Sequence, residues 1–310
     1  MKKTILALFM LLCLSLGGCC ETVRAPIEEA QPAPLRDSAY TLLVKTEEAV
    51  LELPLGEYLA GVLLAEMPAD FAPEALKAQA VAARTFALRK ADTARHPDAH
   101  VCSQSSCCQG WLPIESCGEE KAEKLRRAVR ETDGLVLTYG GRLIDATFFS
   151  CSGGRTESAV AVWGGEVPYL TAVDSPGEEE APVYETVRSW SAGELRQILA
   201  QALPEAELDG PPEGWFRSLS YSPGGGVLGL EVGGVMLEGT RLRQLLGLRS
   251  TRLSIRVEGE QITICTYGYG HRVGLSQYGA QAMALEGKSY GEILLHYYRG
   301  TGLQRLSPGG

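Results

Sequence analysis

The sequence has no basic excess. Its 29 Lys and Arg stand against 38 Asp and Glu, a formal charge of −9, and no run gathers the cations into a tail. A dedicated nucleic-acid binder is excluded, because nothing would neutralise phosphates in bulk. No hydrophobic run is long enough for a multi-span membrane protein: the apolar stretch from Ile5 to Leu16 falls short of the about 20 residues a spanning helix needs. Internal repeats, a collagen period and coiled-coil heptads are absent as well. Histidine is scarce, four residues against nine cysteines. What is present is a 45% apolar chain of 310 residues, enough for one large or two ordinary domains with a real core.

The first residues address the compartment. Lys2 and Lys3, the apolar run and Gly17-Gly18 describe an export signal over residues 1–18. Leu16-Gly17-Gly18-Cys19 resembles a bacterial lipobox, which makes Cys19 the expected lipidated first residue; the alternative is a plain secretory signal or short anchor. Residues 19–37, rich in Glu, Pro and Ala, read as a flexible tether. The expected location is the outer face of the cytoplasmic membrane, held by lipid.

Local patterning places the elements. Two short strands are expected between Tyr40 and Leu53, ended by Pro54. Gly56–Glu66 reads as an apolar helix stopped by Met67-Pro68. Pro73 opens a helix to Ala91 with the small-residue stripe Leu76, Ala80, Ala83, Ala87. A charged helix follows over Glu119–Thr132. A hairpin joins Leu135–Tyr139 to Leu143–Phe149 across Gly140-Gly141. Pro176–Pro182 is acidic and expected to be exposed. An inserted α+β lobe is expected over about 177–259. Ile262–Thr266 then reads as a strand, and helices over Gly274–Glu286 and Tyr290–Tyr298 close the chain.

Chemistry-bearing residues stand out against that frame. Glu66 follows Val62-Leu63-Leu64-Ala65 and ends a helix, so desolvation and the helix dipole both favour its protonated form. Arg84, inside the Ala-rich helix, either meets a sugar carboxylate or pairs internally with an acid. His96-x5-Cys102-x4-Cys107-Cys108 offers four soft donors in thirteen residues, a density suited to a closed structural Zn²⁺ site. A Cys102–Cys108 disulfide is the alternative, and His100 and Cys117 are spare ligands. An open catalytic zinc is not expected with four clustered protein ligands. Ser150-Cys151-Ser152-Gly153-Gly154 lacks the partner spacing of a nucleophilic triad.

Four segments, in order, resemble one family. They are Leu55-Gly56-Glu57-Tyr58 through Glu66-Met67-Pro68; Lys77 to Leu88; Ser152 to Ser158 with Val162-Trp-Gly-Gly165 and Val167-Pro-Tyr-Leu170; and Gly270-His271 through Gly274-Leu-Ser-Gln-Tyr-Gly-Ala280 with His296-Tyr-Tyr298. Together they resemble the SpoIID/LytB family, the stage II sporulation protein D and amidase-enhancer group, over residues 38–306. The resemblance implies an α+β fold, a helical core with a catalytic cleft plus the β-rich inserted lobe. It implies a lytic transglycosylase that cuts MurNAc–GlcNAc bonds of stem-peptide-free glycan strands, with Glu66 as its acid/base. The alternative it carries is a non-catalytic enhancer of a cell-wall amidase.

Substrate contacts are expected from Arg84, Ser152, His271, Ser276, Gln277 and Tyr278. At least one sporulation member of the family is similar in bearing a His/Cys/His/Cys zinc site in this loop, which implies His96, Cys102, Cys107 and Cys108 as ligands, with Cys107 in a His position. Arg272 departs from the family pattern, which usually has Gly there; the exchange alters either the cleft or only the local turn. Implied partners are peptidoglycan strands, an amidase that strips stem peptides and a membrane-bound recruiter.

Overall fold

The computed structural model describes residues 36–93 and 95–306; the signal, Cys19 and nearly all of the tether lie outside them. The described residues gather around two hydrophobic cores. The first begins with the antiparallel pair β1 (Thr41–Lys45) and β2 (Val50–Pro54). Helix α1 (Leu55–Glu66) leaves directly from Pro54 and stops where Met67, ahead of Pro68, turns extended. Helix α2 (Pro73–Ala91) starts with Pro73, whose missing N–H costs nothing in the first turn. From Ala75 to Leu88 every α2 residue except Lys77 is buried.

Short side chains on α2 let several elements close on one helix. Strand β3 (Val101–Cys102) joins β1 in parallel. Helix α3 (Glu119–Glu131), strands β4 (Leu135–Tyr139), β5 (Arg142–Leu143) and β6 (Phe148–Phe149), and a short helix α4 (Ala159–Trp163) follow. The expected hairpin is thus cut short. Its second arm pairs with β4 only at Arg142 and Leu143, while Phe148 and Phe149 turn to a different partner.

The second core belongs to β7 (Glu185–Ser191), α5 (Ala192–Ala202), β8 (Phe216–Tyr221), β9 (Val227–Val232), β10 (Val235–Glu238), α6 (Gly239–Leu245), β11 (Leu253–Glu258) and β12 (Gln261–Tyr267). Two three-stranded sheets, ordered β10-β9-β8 and β11-β12-β7, pack with the two helices. A capping box at Ser191 and Glu194 fixes the start of α5. Ile262 and Ile264 bury in this core, so it takes in β12, beyond Gly259.

The chain then returns to the first core. Strand β13 (Leu275–Ser276) pairs with β6, followed by α7 (Gln277–Leu285), α8 (Tyr290–Tyr297) and β14 (Gly302–Arg305), which lies on β4. Helix α7 starts three residues later than the pattern suggests. Gly274 has φ +87 and is pressed against the Thr147 carbonyl, and Ser276 caps the helix through the Gly279 N–H. The mixed α+β class is as expected. Among the described residues no helix is long and apolar enough to cross a membrane.

Arg84 is an interior residue with no solvent exposure. Its Nε and Nη2 reach Asp37 Oδ1 and Oδ2, both at 2.7 Å, and the Val129 and Leu135 carbonyls accept at 3.2 Å. The guanidinium fastens the N-terminal turn to α2 and β4. Taking away one member of such a buried pair costs about 3–5 kcal/mol.

Candidate active site and metal cluster

Glu66, the last residue of α1, lies half-buried in the wall of a cleft of about 700 Å³. Gln277 at the start of α7, His271, Phe149, Trp163, Arg95, Cys107 and Cys108 line the same cleft. Glu66 is the only carboxylate among the described residues that line it. Its Oε1 accepts the Gly110 N–H at 2.5 Å. Burial pushes the carboxyl up from its ordinary value, while the Gly110 N–H and the nearby Gln277 amide pull it partly back. Gln277 Nε2 is buried and makes no close hydrogen bond, so its pull on Glu66 is that of a nearby amide dipole.

The opposite wall is aromatic. The His271 ring lies 5.5 Å from Phe149 and 5.4 Å from Trp163, centroid to centroid. Burial, and then the Arg243 charge, push His271 down to about 4, so it is neutral at pH 7. Its Nδ1 accepts the Val273 N–H at 3.1 Å, which leaves the ring proton on Nε2.

Next to His271, Arg272 holds φ +66, a left-handed backbone that favours Gly. Its side chain turns away from the cleft and is wholly buried. The guanidinium donates to the carbonyls of Ser152 (2.9 Å), Arg155 (2.7 Å) and Gly224 (2.6 Å) and meets Glu157 Oε1 at 3.4 Å. It thereby ties loops of the first core to the β8–β9 turn. The departure from Gly changes the junction behind the cleft and leaves the cleft lining alone.

Other expected contact residues lie elsewhere. Arg84 is engaged by Asp37, away from the cleft. Ser152 and Ser276 are fully buried and both donate to Glu178, as do Ser175 and the N–H groups of Ser152 and Gly154. Glu178 is 1% exposed, so the expected exposure of the acidic 176–182 segment fails at its centre. Tyr278 packs edge-on against Phe71 at 5.1 Å and is not among the cleft residues. Of the six expected contacts, His271 and Gln277 face the cleft with Glu66.

The His96, Cys102, Cys107 and Cys108 donor atoms all lie within 4.8 Å of one another. His96 Nε2 stands 3.3 Å from Cys108 Sγ and 3.7 Å from Cys107 Sγ. Four donors tetrahedral about Zn²⁺ at its usual bond lengths would be roughly 3.3–3.8 Å apart. The cluster therefore fits that ion in donor type and number, and the two His96–cysteine separations fall in that range. Burial, helped by the neighbouring sulfurs, pushes the Cys108 thiol up to about 12, so a cation is what would make it a thiolate at neutral pH. All six described cysteines are unbridged. His100 Nδ1 is taken by the Leu43 N–H and Cys117 Sγ by the Ile114 carbonyl, outside the cluster.

The same loop reaches the acid. Gly61 on α1 has no room for a Cβ, which would fall 2.3 Å from Trp111 Nε1 and 2.4 Å from the Leu112 carbonyl. A Cβ on Gly110 would come within 2.8 Å of Glu66 Oε1. Tyr58 Oη donates to Gln109 Oε1 at 3.1 Å, and Gln109 Nε2 to the Ala83 carbonyl at 3.3 Å. The cysteine loop is thus laid on α1 and α2, and its next residue grips Glu66.

Sequence reasoning gave no role to Gly110, Arg95, Trp163 or Glu178. Trp163 stands in one of the quoted motifs. Gly110 acts through a backbone N–H and Glu178 through partners far along the chain, which no local pattern marks; Arg95 lines the cleft without a motif around it.

Residues 44–139 match the family profile described as Stage II sporulation protein. The chain is 39% identical to the stage II sporulation protein D of Bacillus subtilis (strain 168) over 264 residues, 82% of this chain and 75% of that protein. It is 39% identical to the protein of the same name from Bacillus amyloliquefaciens over 272 residues, 83% and 76% of the two chains. It is 30% identical to the amidase enhancer of Bacillus subtilis (strain 168) over 294 residues, 79% of this chain and 40% of that protein.

Proposed function

This chain belongs to the stage II sporulation protein D family, and from that premise we propose that it is a lytic transglycosylase of peptidoglycan glycan strands. The observation that carries the proposal is Glu66, a lone carboxylate in an aromatic-walled cleft, with a raised pKa. Hydrolytic glycosidases generally use two carboxylates, one of them acting on water or as nucleophile. A single acid suffices when the substrate supplies its own nucleophile. With Gly110 donating to Oε1, the proton of neutral Glu66 resides on Oε2. It passes to the glycosidic oxygen as the bond from MurNAc C1 breaks. The carboxylate then takes the proton of the MurNAc 6-hydroxyl as that oxygen bonds to C1, closing a 1,6-anhydro ring. No water is consumed.

His271, Phe149 and Trp163 offer faces for sugar rings, Gln277 Nε2 a donor for a hydroxyl or acetamide oxygen, and Arg95 a cation for the lactyl carboxylate. Zn²⁺ on His96, Cys102, Cys107 and Cys108 would have four protein ligands and serve structurally. Those residues hold the loop whose Gly110 N–H positions Glu66. Anchoring through lipid on Cys19, and work beside an amidase that strips stem peptides, complete the proposal.

The test is incubation of the purified chain with stem-peptide-free strands and mass analysis of the products. Fragments ending in 1,6-anhydroMurNAc support it. Strand binding with no cleavage would overturn it in favour of the reading suggested by the amidase-enhancer relative, a modifier of another enzyme.

A further inference from the structure

A second cavity, of about 410 Å³, opens where the two cores meet. Helix α4 forms one side, and the β8–β9 turn and the start of α6 form the other. Trp163 borders both this cavity and the Glu66 cleft. Half of its surface is exposed. The two hollows are neighbours on one surface, with an indole between them.

Glu157 lines the second cavity and is 1% exposed. Its Oε1 is filled, accepting Ser222 Oγ at 2.5 Å, the Gly226 N–H at 2.9 Å and Arg272 at 3.4 Å. Its Oε2 is buried and has no hydrogen-bond partner. A buried carboxylate oxygen without a donor in the protein is costly, and a water, an ion or a ligand group can supply one. Ser222, Thr240 and Thr251 add hydroxyls, and Glu238 a second acid. No Lys, Arg or His is among the lining residues.

This chemistry selects its ligand. An exposed indole beside apolar Val160 suits the flat face of a pyranose. The acceptor oxygens suit O–H and N–H donors. Glu157 is already paired with Arg272, so Glu238 carries the uncompensated charge, and the lining offers no cation to a ligand that carries its own carboxylate. We infer that the cavity is a second saccharide subsite, holding a neutral N-acetylhexosamine unit of the same strand whose reacting bond lies at Glu66. The inference rests on the glycan reading proposed above.

Calorimetric titration of N-acetylglucosamine oligomers, dimer to hexamer, into the Glu66→Gln protein tests it. Affinity should rise at least tenfold from dimer to hexamer. Adding Thr240→Trp, which fills the cavity from its α6 rim, should abolish that rise while dimer affinity stays within twofold. An unchanged melting temperature shows that the double variant folds. Hexamer binding unaffected by Thr240→Trp overturns the subsite, as does a lack of binding by any oligomer. Cleavage of strands by the unsubstituted chain is read separately. If the length dependence is present and sensitive to Thr240→Trp but no strand is cut, the subsite stands and the transglycosylase reading falls. If strands are cut and Thr240→Trp changes nothing, the subsite alone falls.

Discussion

Glu66 and Glu178 are two carboxylates drawn in from water in one molecule, and what surrounds them sets them apart. Glu178 sits in a knot of loops where three Ser hydroxyls and two backbone N–H groups donate to it. Glu66 sits at a helix end with one backbone N–H on Oε1 and a cleft in front of it. Burial alone does not make an acid catalyst. Saturating donors turn a buried carboxylate into a fastener that joins Ser152, Ser175 and Ser276 across more than 120 residues of chain. Sparse donors leave the protonated form in reach and one oxygen free to exchange a proton.

The largest expected effect is on Glu66. Glu66→Gln keeps shape and neutral charge but has no proton to give, so strand cleavage should fall by about 10²–10⁴-fold, or below detection, with the melting temperature unchanged. At Glu178 the consequences should be reversed. Glu178→Ala leaves several buried donors unpaired and should cost about 3–5 kcal/mol in denaturant unfolding, while the folded fraction keeps its cleavage rate. A Glu178 variant that folds normally but cannot cut would erase the distinction.

Smaller effects sharpen it. Cys108→Ala should lower metal content, measured by elemental analysis from about one zinc per chain, and lower the melting temperature. It should also reduce kcat more than it raises KM, because the loop that ends in Gly110 loses its brace. The smallest effect is a pH shift. The acid must be protonated, so cleavage declines as pH rises through the elevated Glu66 pKa. The Gln277 amide lowers that value. Gln277→Ala should therefore carry the alkaline limb of the kcat profile to higher pH; a shift to lower pH would mean the amide opposes the ionised form.

Much of the molecule was legible because its signals are local. Pro73 and the alanine stripe located α2, and Met67-Pro68 located the end of α1 and hence Glu66 at a helix terminus. The donor set His96, Cys102, Cys107 and Cys108 was legible because its spacing lies within one loop. Residues whose partners come from afar were not. Nothing around Glu178 announces Ser152 or Ser276, so an acidic segment read as solvated surface. Arg84 left two readings open because its partner, Asp37, lies 47 residues away at the margin of the tether. The second arm of the β4–β5 hairpin looked longer than it is, since the pairing of Phe148 and Phe149 with Leu275 and Ser276 is set by tertiary contact.

The central claim is that one carboxylate works without water, and isotopic labelling tests it most directly. Denuded strands cut by the purified chain in H₂¹⁸O should carry no ¹⁸O in the newly formed termini, because the MurNAc 6-hydroxyl closes the ring. One ¹⁸O atom at each new end would show that water is the nucleophile. Glu66 would then need a partner base that the described cleft does not hold, and the single-acid account would be wrong.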